Sequence, residues 1–240
     1  EKPAEEEQPI KEEPKEETEE EPEKEEIPSD QVKITYFGHG QTTDNRDNKN
    51  SGWNQSELSQ VGREQCQELK EKITGKHFDV ILASDLKRAI DSSKIVFDQE
   101  SIQDKRLREC NYGDLNGAAE EKVIYAEHID IPFPNGESLK EVEKRIAEFL
   151  NEIFTKYKGK HVAIFAHKAP QMAIEVLLNN KSWDQALKED WRNTKSWQPG
   201  WGYSITQELE VPELPEQPQE TEEVTQEKEE PIEEKQPEEP

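Results

Sequence analysis

The chain has 240 residues, 56 of them acidic and 31 basic, for a formal net charge of −25, and this length suits one or two domains. The charge sits at the ends: residues 1–30 carry fifteen acidic and four basic side chains, residues 208–240 fourteen and two, and the middle is left near −2. Tails of that sign repel nucleic-acid phosphates, and no run is long and apolar enough to span a bilayer, so neither nucleic acid nor a membrane segment is expected.

Residues 1–30 and 208–240 are Glu, Pro, Lys, Gln and Thr with almost no large apolar side chains. Such segments cannot bury enough surface to offset the entropy of ordering. The sequence therefore predicts two disordered acidic tails around one domain over 31–207. Their plain role is solubility or spacing, and contact with a basic partner is the sharper one. Cys66 and Cys110 stand in no metal-ligand spacing and read as free thiols of a reducing, cytoplasmic compartment. The first residue is Glu1 rather than Met, which fits a start segment having been removed.

Within the domain the elements follow in order. Val32–Phe37 is a continuous β-branched and aromatic run, as expected of a strand covered on both faces. Residues 57–73 predict a helix with Leu58, Val61, Cys66, Leu69 and Ile73 near one face. Asp79–Ala83 is a second strand, followed by a helix over Leu86–Phe97. Residues 110–137 fit neither period and read as an excursion over the sheet, with a short helix near Ala118–Glu127; such excursions often form a lid or substrate loop. Ser138-Leu139-Lys140-Glu141 is a capping box opening a long helix through Leu150 and Phe154. His161–Ala166 is a third strand, and Gln171–Leu178 the helix after it, with Pro170 suited to its first turn. Trp183–Trp191 predicts a further short helix and Tyr203–Thr206 a last strand at an edge. Strand and helix alternating in this way predict an α/β domain of three layers, a mostly parallel central sheet with helices on both faces.

Ligands of open parallel sheets bind beyond the carboxyl ends of the strands. The first strand is followed by Gly38-His39-Gly40-Gln41-Thr42-Thr43-Asp44-Asn45, the second by Ser84-Asp85-Leu86-Lys87-Arg88, the third by His167-Lys168-Ala169-Pro170. Two imidazoles and a guanidinium thus converge on one edge of the sheet, a set suited to an anion. Arg88 can grip a phosphoryl group bidentately. The helix beginning near Ala169 directs backbone amides to the same spot. A neutral histidine can attack phosphorus and carry the phosphoryl group, and Gly40 clears room for an anion. This chemistry needs no metal or other cofactor, and no carboxylate cluster that would hold a metal is visible. His77, His128 and His161 lack such company and read as surface or strand-start residues. Trp183, Trp191, Trp197 and Trp201 read as packing, with residues 197–201 able to wall the pocket.

At these residues the chain resembles the histidine phosphatase superfamily, also called phosphoglycerate mutase-like. The resemblance rests on Gly38-His39-Gly40 with Thr42 and Asn45, on Leu58 to Gly62, and on Ser84-x-Leu86-x-Arg88-Ala89. It continues through Leu107–Gly117, Pro134–Ser138 and Ala166-His167, and covers essentially all of 31–206. It implies His39 as the nucleophile that becomes phosphohistidine, and Glu109 as the acid that protonates the leaving alkoxide and then activates water. It implies His167 and Arg88 as stabilisers of the phosphoryl oxygens, and Thr42 and Asn45 as hydrogen-bond donors to that group or orienters of the first loop.

One departure matters. The family's arginine before the nucleophile is Gly38 here. Losing one charge-assisted donor costs about 1.5–3 kcal/mol. Lys168 stands where the family usually has glycine, and its ammonium is a candidate to replace part of that charge, without the bidentate fork. Three readings follow: a metal-independent phosphomonoesterase acting on a phosphorylated small molecule or protein, a phosphatase-fold module that binds such a ligand without turning it over, and a mutase-type phosphotransferase. Gly38 favours the second; the presence together of His39, Arg88, Glu109 and His167 favours the first.

Overall fold

The structure, a computed structural model, describes residues 25–214. The expectation of disordered tails falls mostly on residues 1–24 and 215–240, which lie outside the described residues. The elements are β1 (Val32–Gly38), α1 (Thr43–Arg46), α2 (Gln60–Lys72), β2 (Val80–Ala83), α3 (Lys87–Phe97), β3 (Ile102–Gln103), α4 (Leu139–Lys156), β4 (Lys160–Ala166), α5 (Lys168–Asn179), α6 (Trp183–Lys188), α7 (Trp191–Thr194) and β5 (Trp201–Ile205). The five strands form one sheet in the order β3-β2-β4-β1-β5. All pairs are parallel except β1 with β5, which is antiparallel at the edge.

The apolar runs are continuous because both faces of the sheet are covered. Along β1, β2 and β4, alternate side chains enter opposite cores. Ile34, Tyr36, Leu82, Val162 and Ile164 join Leu139, Val142, Ile146, Leu150 and Ile174 on one face. Phe37, Ile81, Ala83, Ala163 and Phe165 meet Cys66, Leu69, Ile73 and Val96 on the other. The capping box forms as predicted: Ser138 Oγ accepts from the Glu141 amide at 3.2 Å, and Glu141 Oε2 from the Ser138 amide at 2.7 Å.

Several expectations are corrected. Helix α2 starts at Gln60, and Val61 is 49% exposed. Gly62 takes its place on the buried face because residue 61 lies five positions before Cys66, off a stripe of period 3.6. Helix α5 starts three residues earlier than predicted, so Pro170 is its third residue. The predicted 183–191 helix breaks after Lys188, and Asp190 caps a separate α7 through the Arg192 amide at 3.1 Å. The excursion holds 3-10 turns at Glu120–Lys122 and Tyr125–His128 rather than an α-helix. Contact with the domain also continues past Gln207: Leu209 packs against the core, and its backbone N–H and C=O both bond to the Asn151 side chain.

Candidate active site

Gly38 at the end of β1 pairs in register with Ala166 at the end of β4. The next residue on each strand is therefore a histidine, and the two rings stand side by side with centroids 5.1 Å apart. The His39 amide continues the ladder to Ala166 O at 3.3 Å.

The bonding of His39 decides its tautomer. Nδ1 lies 2.8 Å from the carbonyl oxygen of Gly40. A carbonyl only accepts, so Nδ1 carries the hydrogen and Nε2 holds the free lone pair. Nε2 accepts from Arg88 Nε at 3.3 Å. Burial first, and then the Arg88 charge, push the His39 pKa down to about 3. The ring is a neutral base at ordinary pH.

His167 is fully buried and its pKa lies well below the usual value, from burial and then from Arg88. Its backbone is pinned by one side chain: Tyr36 Oη donates to His167 O at 2.7 Å and accepts from the His167 amide at 3.0 Å. Neither His167 ring nitrogen has a hydrogen-bond partner among the described residues. A buried polar group left so costs about 1–3 kcal/mol, and sites that await a polar ligand tolerate that cost.

Arg88, at the start of α3, is 2% exposed. Its Nη1 donates to Asn54 O at 3.1 Å and its Nη2 to Gly52 O at 2.8 Å. With the bond to His39, three of its five N–H groups are engaged. The guanidinium is thus held rigidly rather than presenting a free fork.

The α5 N-terminus is used differently from the expectation. The Lys168 amide donates to Glu109 Oε2 at 3.0 Å, and the Ala169 amide to Glu109 Oε1 at 2.9 Å. The group seated at that helix end is the Glu109 carboxyl, which also accepts from the Cys110 amide through Oε1 at 2.9 Å. Its own carbonyl is bound by Trp53 Nε1 at 2.7 Å and Arg145 Nη2 at 3.0 Å. Oε1 takes two donors and Oε2 one, so Oε2 retains a lone pair able to carry a proton.

The remaining expected residues divide. Thr42 is fully buried, and its hydroxyl accepts from the Asn45 amide at 3.0 Å while Asn45 Oδ1 accepts from the Thr42 amide at 3.1 Å. Both side chains cap α1, and of the two only Asn45 lines the pocket. Gly40 is needed for packing: a Cβ there would lie 2.4 Å from Gly62 O. Lys168 lines the pocket, but its ammonium already has partners of its own. It pairs with buried Asp190 at 3.3 Å and lies over the Tyr125 ring.

The pocket measures about 730 Å³ and gathers Gly38, His39, Gly40, Asn45, Glu109 and Lys168. Its walls add Tyr112, Tyr125, Trp191, Arg192 and Trp197, so the late tryptophan segment does reach the pocket. Trp191 stacks on Trp201, with centroids 4.8 Å apart. Sequence reasoning missed Arg192 and Asp190; two charged residues in a short helix carry no signal of what they face. Among the described residues no group of three or more His, Cys, Asp or Glu side chains could hold a metal ion, and no helix is long and apolar enough to cross a membrane.

Comparison with known proteins bears on this arrangement. The model of the histidine phosphatase superfamily (branch 1) matches residues 37–198. A 2,3-bisphosphoglycerate-dependent phosphoglycerate mutase of Parvibaculum lavamentivorans is 34% identical over 169 residues, covering 62% of this chain and 80% of that one. A phosphoglycerate mutase of Schizosaccharomyces pombe is 30% identical over 172 residues, covering 63% and 82%. In fold the chain is similar to a mycobacterial glucosyl-3-phosphoglycerate phosphatase complexed with VO3, with TM-score 0.58, 24% identity, and coverage of 65% and 86%.

Proposed function

Because the chain belongs to the histidine phosphatase superfamily, we propose that it is a phosphoric monoester hydrolase working through a phosphohistidine on His39. The observation that carries this is the His39 ring: lining the pocket, neutral, fixed through Nδ1 by Gly40 O, and with its unprotonated Nε2 held by Arg88. In the first step Nε2 attacks phosphorus and the P–O ester bond breaks. The leaving alkoxide takes a proton from Glu109 Oε2 and departs as the alcohol. In the second step the Glu109 carboxylate takes a proton from water, the water oxygen attacks phosphorus, and the P–N bond breaks. Inorganic phosphate leaves and Nε2 is restored.

The equatorial oxygens develop charge in both steps. Arg88 has two N–H groups beyond its three bonds, and the neutral His167 ring adds one N–H, neither of its nitrogens being bonded among the described residues. Donors already in place need no reorganisation as charge develops, which is why such groups lower the barrier. Thr42 and Asn45 hold the loop that carries His39, and Asn45 and Gly40 border the phosphoryl position. Substrates are phosphorylated small molecules, or protein segments narrow enough for the pocket.

Phosphotransfer between two substrates is a second reading, favoured by relatives named as phosphoglycerate mutases. Binding without turnover is a third, favoured by Gly38. One assay separates them: phosphate release from a panel of phosphomonoesters with EDTA present, for the native chain and His39→Ala. Release that persists in EDTA, disappears in His39→Ala and passes through acid-labile phosphohistidine supports the hydrolase. Label transferred to an added alcohol acceptor without release supports the transferase. Phosphate binding with neither supports the binding module.

A further inference from the structure

We propose that Arg192, on α7, supplies the guanidinium that holds the phosphoryl group beside Gly38. The proposal rests on reading the pocket as a phosphoryl site.

Gly38 ends β1 next to the nucleophile and has no side chain of its own. Arg192 borders the space a side chain would enter: a Cβ at Gly38 would meet Arg192 Nη2 at 3.6 Å and Trp191 Cζ2 at 4.0 Å. A methyl group fits there, and an arginine extending from it would compete with Arg192 for the same space. Arg192 lines the same pocket as His39 and Glu109, and its charge acts on both imidazoles. The cation beside the nucleophile thus enters from the far end of the domain.

The guanidinium is held in place. Its Nη1 donates to Asp190 Oδ1 at 2.9 Å and to Gln171 Oε1 at 3.3 Å. Its Cζ lies over the Trp191 ring, 4.3 Å from the centroid. Trp191 Nε1 binds the same Gln171 oxygen at 3.1 Å. Asp190 is 2% exposed, and its second oxygen faces Lys168 Nζ at 3.3 Å. One buried carboxylate therefore pairs with two cations, and these three side chains together carry one net positive charge. The bonds to Asp190 and Gln171 use Nη1, leaving Nη2, the atom nearest Gly38, to bind an anion. Lys168 then acts as a positioning residue that shares Asp190, rather than as the replacement cation itself.

The test uses the full chain, inorganic phosphate as the binding probe, and steady-state hydrolysis. Arg192→Ala is expected to weaken phosphate binding by roughly ten- to a hundredfold, the loss of one charge-assisted pair. Arg192→Lys should fall between, since it keeps the charge without the fork. The deciding variant is Gly38→Arg combined with Arg192→Ala. It should recover at least tenfold of the lost affinity, because the vacated space now accepts a guanidinium from β1. Gly38→Arg alone should bind phosphate worse than the native chain. Should alanine at 192 prevent folding, Arg192→Gln keeps a hydrogen bond to Asp190 and removes the charge. Unchanged phosphate affinity in Arg192→Ala would overturn the proposal, as would a folded double variant no better than Arg192→Ala. If the native chain binds phosphate without hydrolysing esters, the hydrolase reading fails while the affinity series still decides this one.

Discussion

Arg88 donates its Nε–H to Nε2 of His39 at 3.3 Å, so a buried cation rests directly on the nitrogen assigned to attack phosphorus. That contact keeps a proton off Nε2. When a phosphoryl group arrives, the same N–H can pass to one of its oxygens and leave the lone pair free.

Across pH 5–8, the His39 ring should show no titration. With its pKa pushed down to about 3, nitrogen NMR should report a neutral ring with its hydrogen on Nδ1 throughout that window. A transition near the ordinary value of 6.5 would refute both the protonation state and the tautomer.

The same shift makes a stability prediction. A histidine whose folded pKa lies below its unfolded value takes up its proton in the unfolded chain first. Stability contributed by the neutral ring is therefore present above about 6.5 and is lost as pH falls toward 3. The slope is at most about 1.4 kcal/mol per pH unit for one imidazole. Urea midpoints at pH 6.5 and 5.0 should fall more steeply for the native chain than for His39→Asn. Parallel slopes would count against a neutral His39 in the fold.

Glu109→Gln should separate the two classes of ester. Alkyl phosphates need a proton on the leaving group, and their hydrolysis should drop about 10²–10⁴-fold. An aryl phosphate with an acidic phenol needs none. It should still give a burst of phenolate equal to the enzyme concentration, followed by slow turnover. Equal losses for both ester types would remove Glu109 from the acid role.

Tyr36→Phe removes the hydroxyl that bonds both the N–H and C=O of His167. We expect a stability loss of about 1–3 kcal/mol from the His167 N–H left without its acceptor, the carbonyl keeping the Gln171 amide at 3.4 Å, together with a lower kcat as the His167 ring loses its fixed position. Denaturant unfolding and steady-state kinetics on one preparation measure both. A stable variant with native kcat would show that other contacts position His167.

Gly62→Ala tests how the His39 loop is seated. A Cβ at Gly62 would lie 2.0 Å from Gln41 O, so α2 and the loop must separate. Overpacking of this kind costs about 1–3 kcal/mol, and the displaced loop should lower kcat/KM as well. Native activity and stability in this variant would mean that the loop position is not set by α2.

Much of this molecule could be read from its residues in order. The runs at Val32, Val80 and His161 had to be doubly covered strands because both of their alternating faces are apolar. Three such strands alternating with helices favour a parallel arrangement, and parallel strands bring the ends at His39, Arg88 and His167 together. The Ser138 capping box is local chemistry, complete within four residues, and it forms where the sequence places it.

What only the tertiary structure decided lies in contacts between distant segments whose residue types are ordinary. The Glu109 carboxylate occupies the α5 amides that an anionic ligand was expected to use. Lys168 faces Asp190, and Arg192 stands over Gly38. Local sequence fixes which residues are charged and which element carries them. The direction and partner of a long charged side chain depend on which buried groups nearby still need a counter-charge, and that is settled only when the layers pack.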